Sequence, residues 1–190
     1  MIKQTISVLA ACLLAAACTS GAQEDPREPT SETPALTTGA PEFTGISHWI
    51  NSPPLTMEQL WGKVVLVEFW TYDCINCIRV LPHVKQWHER YKDEGLAVVG
   101  VHTPEYGHER ILGNLEKAVK RFDIGYPVAQ DNGYKTWNAF GNRYWPALYL
   151  IDQNGQIVYR HFGEGNYAET EAEIQRLLRQ SAASKAVASR

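Results

Sequence analysis

The sequence predicts an α/β domain in which a mixed central sheet carries helices on both faces. A nearly continuous apolar run, Val64–Trp70, is typical of a strand that is covered on both faces. A helical pattern over 74–93 and a second buried run over 96–101 follow it, and a strand–helix–strand unit implies parallel pairing through a right-handed crossover. Asn154-Gly155 lies between two further apolar runs and predicts a hairpin that adds an antiparallel edge.

The elements are expected in the order β-α-β-α-β-β-α, with a short additional strand over 46–50 before them. The first helix places a regularly spaced apolar face on the sheet and ends at Gly95. The remaining elements are a helix over 109–122, strands over 147–151 and 157–161, and a helix over 168–180.

Length and composition allow one ordinary domain with appended segments, since the chain has 190 residues, of which 44% are hydrophobic and 21% are charged. We divide it into an export signal (1–18), a Pro-, Thr-, Ser- and Glu-rich tether (19–42), a folded domain (43–180) and a flexible tail (181–190). The tether has almost no large apolar residue to offset its ordering entropy, so we expect it to be disordered. A net charge of −3 argues against nucleic-acid binding.

The N-terminal segment predicts export. Lys3 precedes an apolar run over 6–17, which is shorter than the ~20 residues that span a bilayer. The residues before Cys18 resemble a bacterial lipoprotein signal, which implies acylation of Cys18 and a domain held at the periplasmic face of a bacterial membrane. Ala15 departs from that pattern, which prefers Leu there. The alternative is ordinary cleavage after Ala22, which would release a free periplasmic protein.

Cys74 and Cys77 are the candidate reactive pair, because Cys12 and Cys18 both lie in the predicted signal. A bridge across two intervening residues restrains the unfolded chain little, so its purpose should be chemical. Unpaired N–H groups and the positive end of the helix dipole lower the pKa of a thiol at a helix start. We therefore predict that Cys74 is the exposed nucleophile and that Cys77, one turn further in, resolves its mixed disulfide.

The residues around this pair resemble those of the thioredoxin superfamily. The segment from Val67 to Cys77 is similar to the active-site segment, Pro82 stands where that family has a helix-kinking proline, and Trp145-Pro146 is similar to its cis-proline loop. Within the TlpA-like group, four runs look like the thioredoxin domain of DipZ-like proteins: 70–77, 100–105, 142–146 and 161–165.

The resemblance covers residues 43–178 and implies a thioredoxin-like three-layer sandwich. It also implies thiol–disulfide exchange with protein partners, in the reducing direction, with electrons resupplied by a membrane transporter of thiol electrons. No organic cofactor or metal is expected. DipZ-like proteins carry this domain behind a membrane-embedded transporter that is not among these 190 residues. Between the cysteines stands Ile-Asn, where general thioredoxins have Gly-Pro, so the redox potential cannot be transferred.

Glu68 is the charged residue of a strand that otherwise reads as fully buried. Burial would raise its pKa and make it a proton acceptor rather than a permanent charge. The resemblance places it where related proteins hold a buried acid behind the second cysteine. We predict that Glu68 deprotonates Cys77 during resolution. The alternative is that the strand exposes Glu68 at a sheet edge.

Trp70, Tyr72, Trp145 and Pro146 are the candidate substrate contacts. The resemblance implies a cis peptide bond before Pro146, in a loop beside Cys74 that pairs with an extended substrate segment, with the three aromatic side chains around the exposed sulfur. The alternative for the aromatic residues is a place in the core, and Pro146 could simply start a strand.

Four polar residues near these motifs stay without a firm role. Asp73 either moderates the acidity of Cys74 or caps the helix. His102, His161 and Glu164 recur in the DipZ-like segments, and a hydrogen bond in the core or a loop is their default role.

Three other kinds of site were weighed. A zinc site would need two more ligands at suitable spacing, and the chain has no second close cysteine pair. A thioredoxin-fold peroxidase normally has a lone cysteine at the helix start, so the close pair argues against it. A copper-binding module could use two thiolates and a distant histidine, although copper carriers of this fold usually space their cysteines by three residues.

Overall fold

The computed structural model describes residues 39–188 of the chain. Its elements follow one another as β1 (His48–Ile50), β2 (Val64–Trp70), α1 (Ile75–Tyr91), β3 (Leu96–His102), α2 (Leu112–Arg121), β4 (Val128–Gln130), α3 (Lys135–Ala139), β5 (Ala147–Ile151), β6 (Ile157–Phe162) and α4 (Tyr167–Ala188). Short 3-10 turns at Lys92–Glu94 and Gly107–Arg110 follow α1 and precede α2.

The strands form one six-stranded sheet in the order β1-β4-β3-β2-β5-β6. The pairs β2–β3 and β3–β4 are parallel, and the other pairs are antiparallel. Strand β2 is central, and Glu68 in its middle pairs with Gly100 of β3 and with Leu148 of β5. The mixed sheet and its antiparallel hairpin edge are therefore confirmed.

Alternate residues of β2 enter two buried clusters, one on each face of the sheet. Leu66 and Trp70 join a cluster with residues of α1, α2 and α4, whereas Val67 and Phe69 join a cluster with α3 and the segment before β2. Helices on both faces are thus confirmed. Glu68 has the same parity as Leu66 and Trp70, so its side chain lies on the face covered by α1.

Two elements were not predicted. Strand β4 has three residues and helix α3 has five, which is too short for a periodic apolar pattern to stand out. The predicted helix over 109–122 is divided at Ile111, whose extended backbone separates the 3-10 turn from α2.

The domain exceeds its predicted limits at both ends. Gly39 forms an isolated bridge with Gln156, and the Ala40 N–H donates to the Gly155 carbonyl at 2.7 Å, so contacts begin before residue 43. Helix α4 continues through 181–188, a stretch rich in alanine and free of glycine and proline that favours helix. The predicted signal with Cys18, and most of the predicted tether, lie outside the described residues.

No helix within residues 39–188 combines the length and the apolar character that crossing a membrane requires.

Candidate active site

Three chain segments meet at one end of the central strands of the sheet. Strand β2 and the parallel strand β3 end there, and the antiparallel strand β5 begins there. Cys74 follows β2 and is the N-cap residue of α1. The Trp145–Pro146 peptide bond, just before β5, is cis as predicted. The Pro146 carbonyl accepts a hydrogen bond of 2.8 Å from the Gly163 N–H, which ties this loop to the end of β6.

The two cysteines are free thiols with unequal exposure. Cys74 is half-buried, and its Sγ accepts a hydrogen bond from the Cys77 N–H at 3.4 Å. Cys77 is completely buried. Cys74 is therefore the accessible member of the pair, and Cys77 lies behind it.

The surroundings also separate the acidities of the two thiols. A hydrogen bond from the Cys77 side chain, assisted by the N–H groups of Cys77 and Asn76, lowers the pKa of Cys74 to about 6 despite partial burial. Burial raises the pKa of Cys77, and hydrogen bonding to Cys74 and the negative charges of Cys74 and Glu68 raise it further. At neutral pH, Cys74 is a thiolate and Cys77 is a thiol that needs a base.

Glu68 is fully buried on the central strand, so its predicted burial is confirmed and exposure at a sheet edge is excluded. The Tyr126 hydroxyl donates to Glu68 Oε2 at 3.0 Å. Glu68 Oε1 has no hydrogen-bond partner within residues 39–188. Burial raises the pKa of Glu68 to about 8, and the hydrogen bond from Tyr126 partly opposes this. Tyr126 was not among the predicted site residues.

The predicted place of Trp70 and Tyr72 at the surface is wrong. Trp70 is completely buried and Tyr72 is 6% exposed, so neither surrounds the sulfur from the solvent side. Trp70 ends the central strand on the face that α1, α2 and α4 cover, and the Tyr72 hydroxyl donates to the His108 carbonyl at 3.0 Å. Trp145 is half-buried, and its Nε1 donates to the Thr103 carbonyl at 3.0 Å.

Glu109 is a second buried carboxylate that the sequence reasoning missed. It accepts hydrogen bonds from the Thr71 hydroxyl and from the N–H groups of Asp73 (3.3 Å), Glu105 (2.6 Å) and Tyr106 (2.8 Å). These bonds join the loop that leads to the nucleophile to the loop after β3. An acid at the start of a predicted helix is usually solvated, so the sequence pattern had no signal for this role.

Asp73 does not cap α1, because the Cys74 side chain takes that position. Asp73 Oδ2 instead lies 2.5 Å from His108 Nε2. Ligand atoms of Asp73, His108 and Glu109 lie within 4.8 Å of one another. Both Glu109 oxygens already accept hydrogen bonds, so we interpret the three residues as a hydrogen-bonded network.

The three residues shared with the DipZ-like segments have separate places. His102 is buried with its Nε2 3.3 Å from Thr71 Oγ1, and burial lowers the pKa of His102 to about 4, so it is neutral at pH 7. Glu164 forms an exposed ion pair of 3.3 Å with Arg79 of α1. His161 lies on the edge strand β6, and its Nε2 has no partner in the described part of the chain.

Known proteins with similar sequences include redox proteins. Protein DipZ of Mycobacterium tuberculosis is 51% identical over 142 residues, which are 73% of this chain and 20% of DipZ. The chain thus spans about a fifth of that relative. The thiol-disulfide oxidoreductase YkuV of Bacillus subtilis is 33% identical over 139 residues, which are 73% of this chain and 93% of YkuV.

Known structures and family models agree with the fold. The solution structure of a thioredoxin-like protein in its oxidised form is 32% identical to this chain, with a TM-score of 0.70. The match covers 76% of this chain and 97% of that protein. The model of the AhpC/TSA family matches residues 36–160. The chain therefore belongs to the AhpC/TSA family and has the thioredoxin-like fold.

Proposed function

We propose that this thiol–disulfide oxidoreductase reduces protein disulfides with its Cys74–Cys77 dithiol. The observation that carries the proposal is that the two cysteines differ in exposure and in pKa. A half-exposed Cys74 with a lowered pKa is suited to attack, whereas a buried Cys77 with a raised pKa is suited to a later, intramolecular step.

The reaction proceeds in two exchanges. The Cys74 thiolate attacks one sulfur of the substrate disulfide, which forms a mixed disulfide and releases the other sulfur as a thiolate. Glu68 takes the proton of Cys77, and the resulting thiolate attacks the Cys74 sulfur. The second substrate thiolate leaves, two electrons have passed to the substrate, and Cys74 and Cys77 are joined. The position of Glu68 on the Cys77 face and its pKa of about 8 support its role as base.

The substrate lies against the loop at Trp145-Pro146. This loop lies at the same end of the central strands as Cys74, and it resembles the substrate loop of the thioredoxin superfamily. In place of the buried aromatic residues, Tyr144 (56% exposed) and Phe162 (45% exposed) provide apolar surface here, with ring centroids 5.5 Å apart.

Each turnover leaves the pair oxidised, so a second thiol donor must reduce it. We propose a membrane transporter of thiol electrons as that donor, with the domain exported and held at the periplasmic face of a membrane through a lipid on Cys18. The signal pattern of residues 1–18 supports export, and the resemblance to TlpA-like proteins supports the donor.

Trapping with Cys77→Ser tests the exchange. This variant should accumulate mixed disulfides between Cys74 and its protein partners, whereas the matched Cys74→Ser variant should accumulate none. Wild-type protein should also reduce protein disulfides repeatedly when a dithiol is supplied. Turnover of hydrogen peroxide instead, or stoichiometric Cu(I) binding with no turnover of protein disulfides, would overturn the proposal in favour of a peroxidase or a copper module.

A further inference from the structure

We propose that Tyr126 is a positioning residue that sets the pH at which Glu68 accepts the proton of Cys77, and that Gly100 provides the space for it. This inference rests on the role proposed for Glu68 and names what controls that role.

The space beside Glu68 exists because residue 100 has no side chain. Gly100 is the direct partner of Glu68 in the parallel register of β2 and β3. A Cβ atom at Gly100 would lie 3.0 Å from Trp70 Nε1 and 3.0 Å from Tyr126 Cε2. Both contacts are tighter than ordinary packing, so a glycine here lets the indole and the phenol close against the strand together.

The Tyr126 hydroxyl is the one hydrogen-bond donor to Glu68 within residues 39–188, at 3.0 Å from Oε2. A donor stabilises the charged form of a carboxyl group, whereas burial disfavours that form. Burial holds the pKa of Tyr126 itself well above its ordinary value, so Tyr126 remains a donor throughout the neutral range. Burial thus raises the proton affinity of Glu68, and a single phenol opposes that effect.

Several charged or titratable side chains lie near Tyr126. Tyr126 lines a surface cavity of about 160 Å³ together with Lys85, His88, Glu89 and Asp123. Lys85 and Asp123 form an ion pair of 3.3 Å, and the His88 ring meets the Tyr126 ring edge-on at 5.8 Å. Burial lowers the pKa of His88, which favours its neutral form. Burial and the hydrogen bond from Tyr126 are the influences that set the pKa of Glu68 among the described residues.

Tyr126→Phe removes the hydroxyl and keeps the ring. We expect the pH midpoint of the resolution step to rise by about one pH unit, the effect of losing a hydrogen bond to a charged group, while the first attack by Cys74 is unchanged. Tyr149→Phe is the matched control, because Tyr149 is equally buried and donates at 3.0 Å to Asn142 Oδ1 from the opposite face of the sheet. Tyr149→Phe should not change the pH midpoint of the resolution step.

Replacement of Tyr126 by fluorotyrosine keeps the hydroxyl and should shift the pH midpoint in the direction opposite to that of Tyr126→Phe. Fluorine beside the hydroxyl strengthens the phenol as a donor, so the midpoint should fall, and this variant serves if Tyr126→Phe does not fold. Midpoints that stay in place in both variants would overturn the inference. If Glu68→Gln slows resolution and neither Tyr126 variant moves the midpoint, the inference about Tyr126 fails alone. If Glu68→Gln leaves resolution unchanged, the role of Glu68 itself fails.

Discussion

Glu68 and Glu109 are two carboxylates with the same burial and opposite hydrogen-bonding environments. Both have 0% exposure and both lie near the chain that leads into the cysteine pair. Glu68 has one donor and one oxygen without a partner among the described residues. Glu109 accepts from a hydroxyl and three backbone N–H groups. The number of donors, rather than burial, therefore separates a carboxylate suited to moving a proton from one suited to holding loops together.

Glu109→Ala should have the largest effect, because it leaves the Thr71 hydroxyl and three N–H groups without their acceptor. The lost hydrogen bonds to a charged group and the unpaired donors, of which the Thr71 hydroxyl is buried, should together reduce the free energy of unfolding by about 3–5 kcal/mol. Urea denaturation of the reduced protein measures this loss.

Two controls accompany that variant. Glu109→Gln keeps an acceptor oxygen and should lose less stability than Glu109→Ala. Glu116→Ala removes an exposed carboxylate from α2 and should change the free energy of unfolding by no more than about 0.5 kcal/mol. A loss for Glu109→Ala as small as that for Glu116→Ala would show that the four bonds do not hold the loops.

Glu68→Gln should change how the free energy of unfolding depends on pH. The folded-state pKa of Glu68 is about 8 against an ordinary 4.5, so the folded protein binds this proton more tightly than the unfolded chain does. Its contribution to stability is therefore fully present below about pH 4.5 and is lost as the pH rises through about 8.

The measurement is the free energy of unfolding of the reduced protein at several pH values in this window. Wild type should lose on the order of 1 kcal/mol per pH unit from this group, and Glu68→Gln should lack that loss. Parallel curves for the two proteins would mean that Glu68 is ionised in the fold, as an anchored carboxylate would be.

Glu105→Gln should have the smallest effect. The negative charge of Glu105 raises the pKa of Cys74, while the Glu105 N–H donates to Glu109. The substitution removes the charge and keeps that backbone bond, so the pKa of Cys74 should fall by a few tenths of a pH unit with no loss of stability. The pH dependence of Cys74 alkylation measures it, with Glu116→Gln as the control. A rise in the pKa of Cys74 would contradict this prediction.

Much of the fold and the reactive pair could be predicted because their signals are local. The apolar run of β2, interrupted by Glu68, and the close spacing of Cys74 and Cys77 are visible within a few residues. The same holds for the Asn154-Gly155 turn. Strand β4 and helix α3 are too short to produce such a pattern.

The partners of the two carboxylates could not be predicted because they are distant in sequence. Tyr126 is 58 positions from Glu68, and Glu109 is 38 positions from Thr71. No periodic pattern links such residues before the sheet brings them together. Tyr72 was assigned to the surface for a similar reason, since the segment at His108 that covers it arrives from a distant part of the chain.

The most direct test follows both exchanges in one stopped-flow experiment with an aromatic disulfide that releases a coloured thiolate at each step. In wild type, the second release should depend on pH with a midpoint near 8, the pKa of Glu68. In Glu68→Gln, the second release should slow by about 10²-fold at pH 8 and lose that midpoint, while the first release keeps its wild-type rate. Equal slowing of both releases, or a second release with an unchanged midpoint, would show that Glu68 is not the base for Cys77.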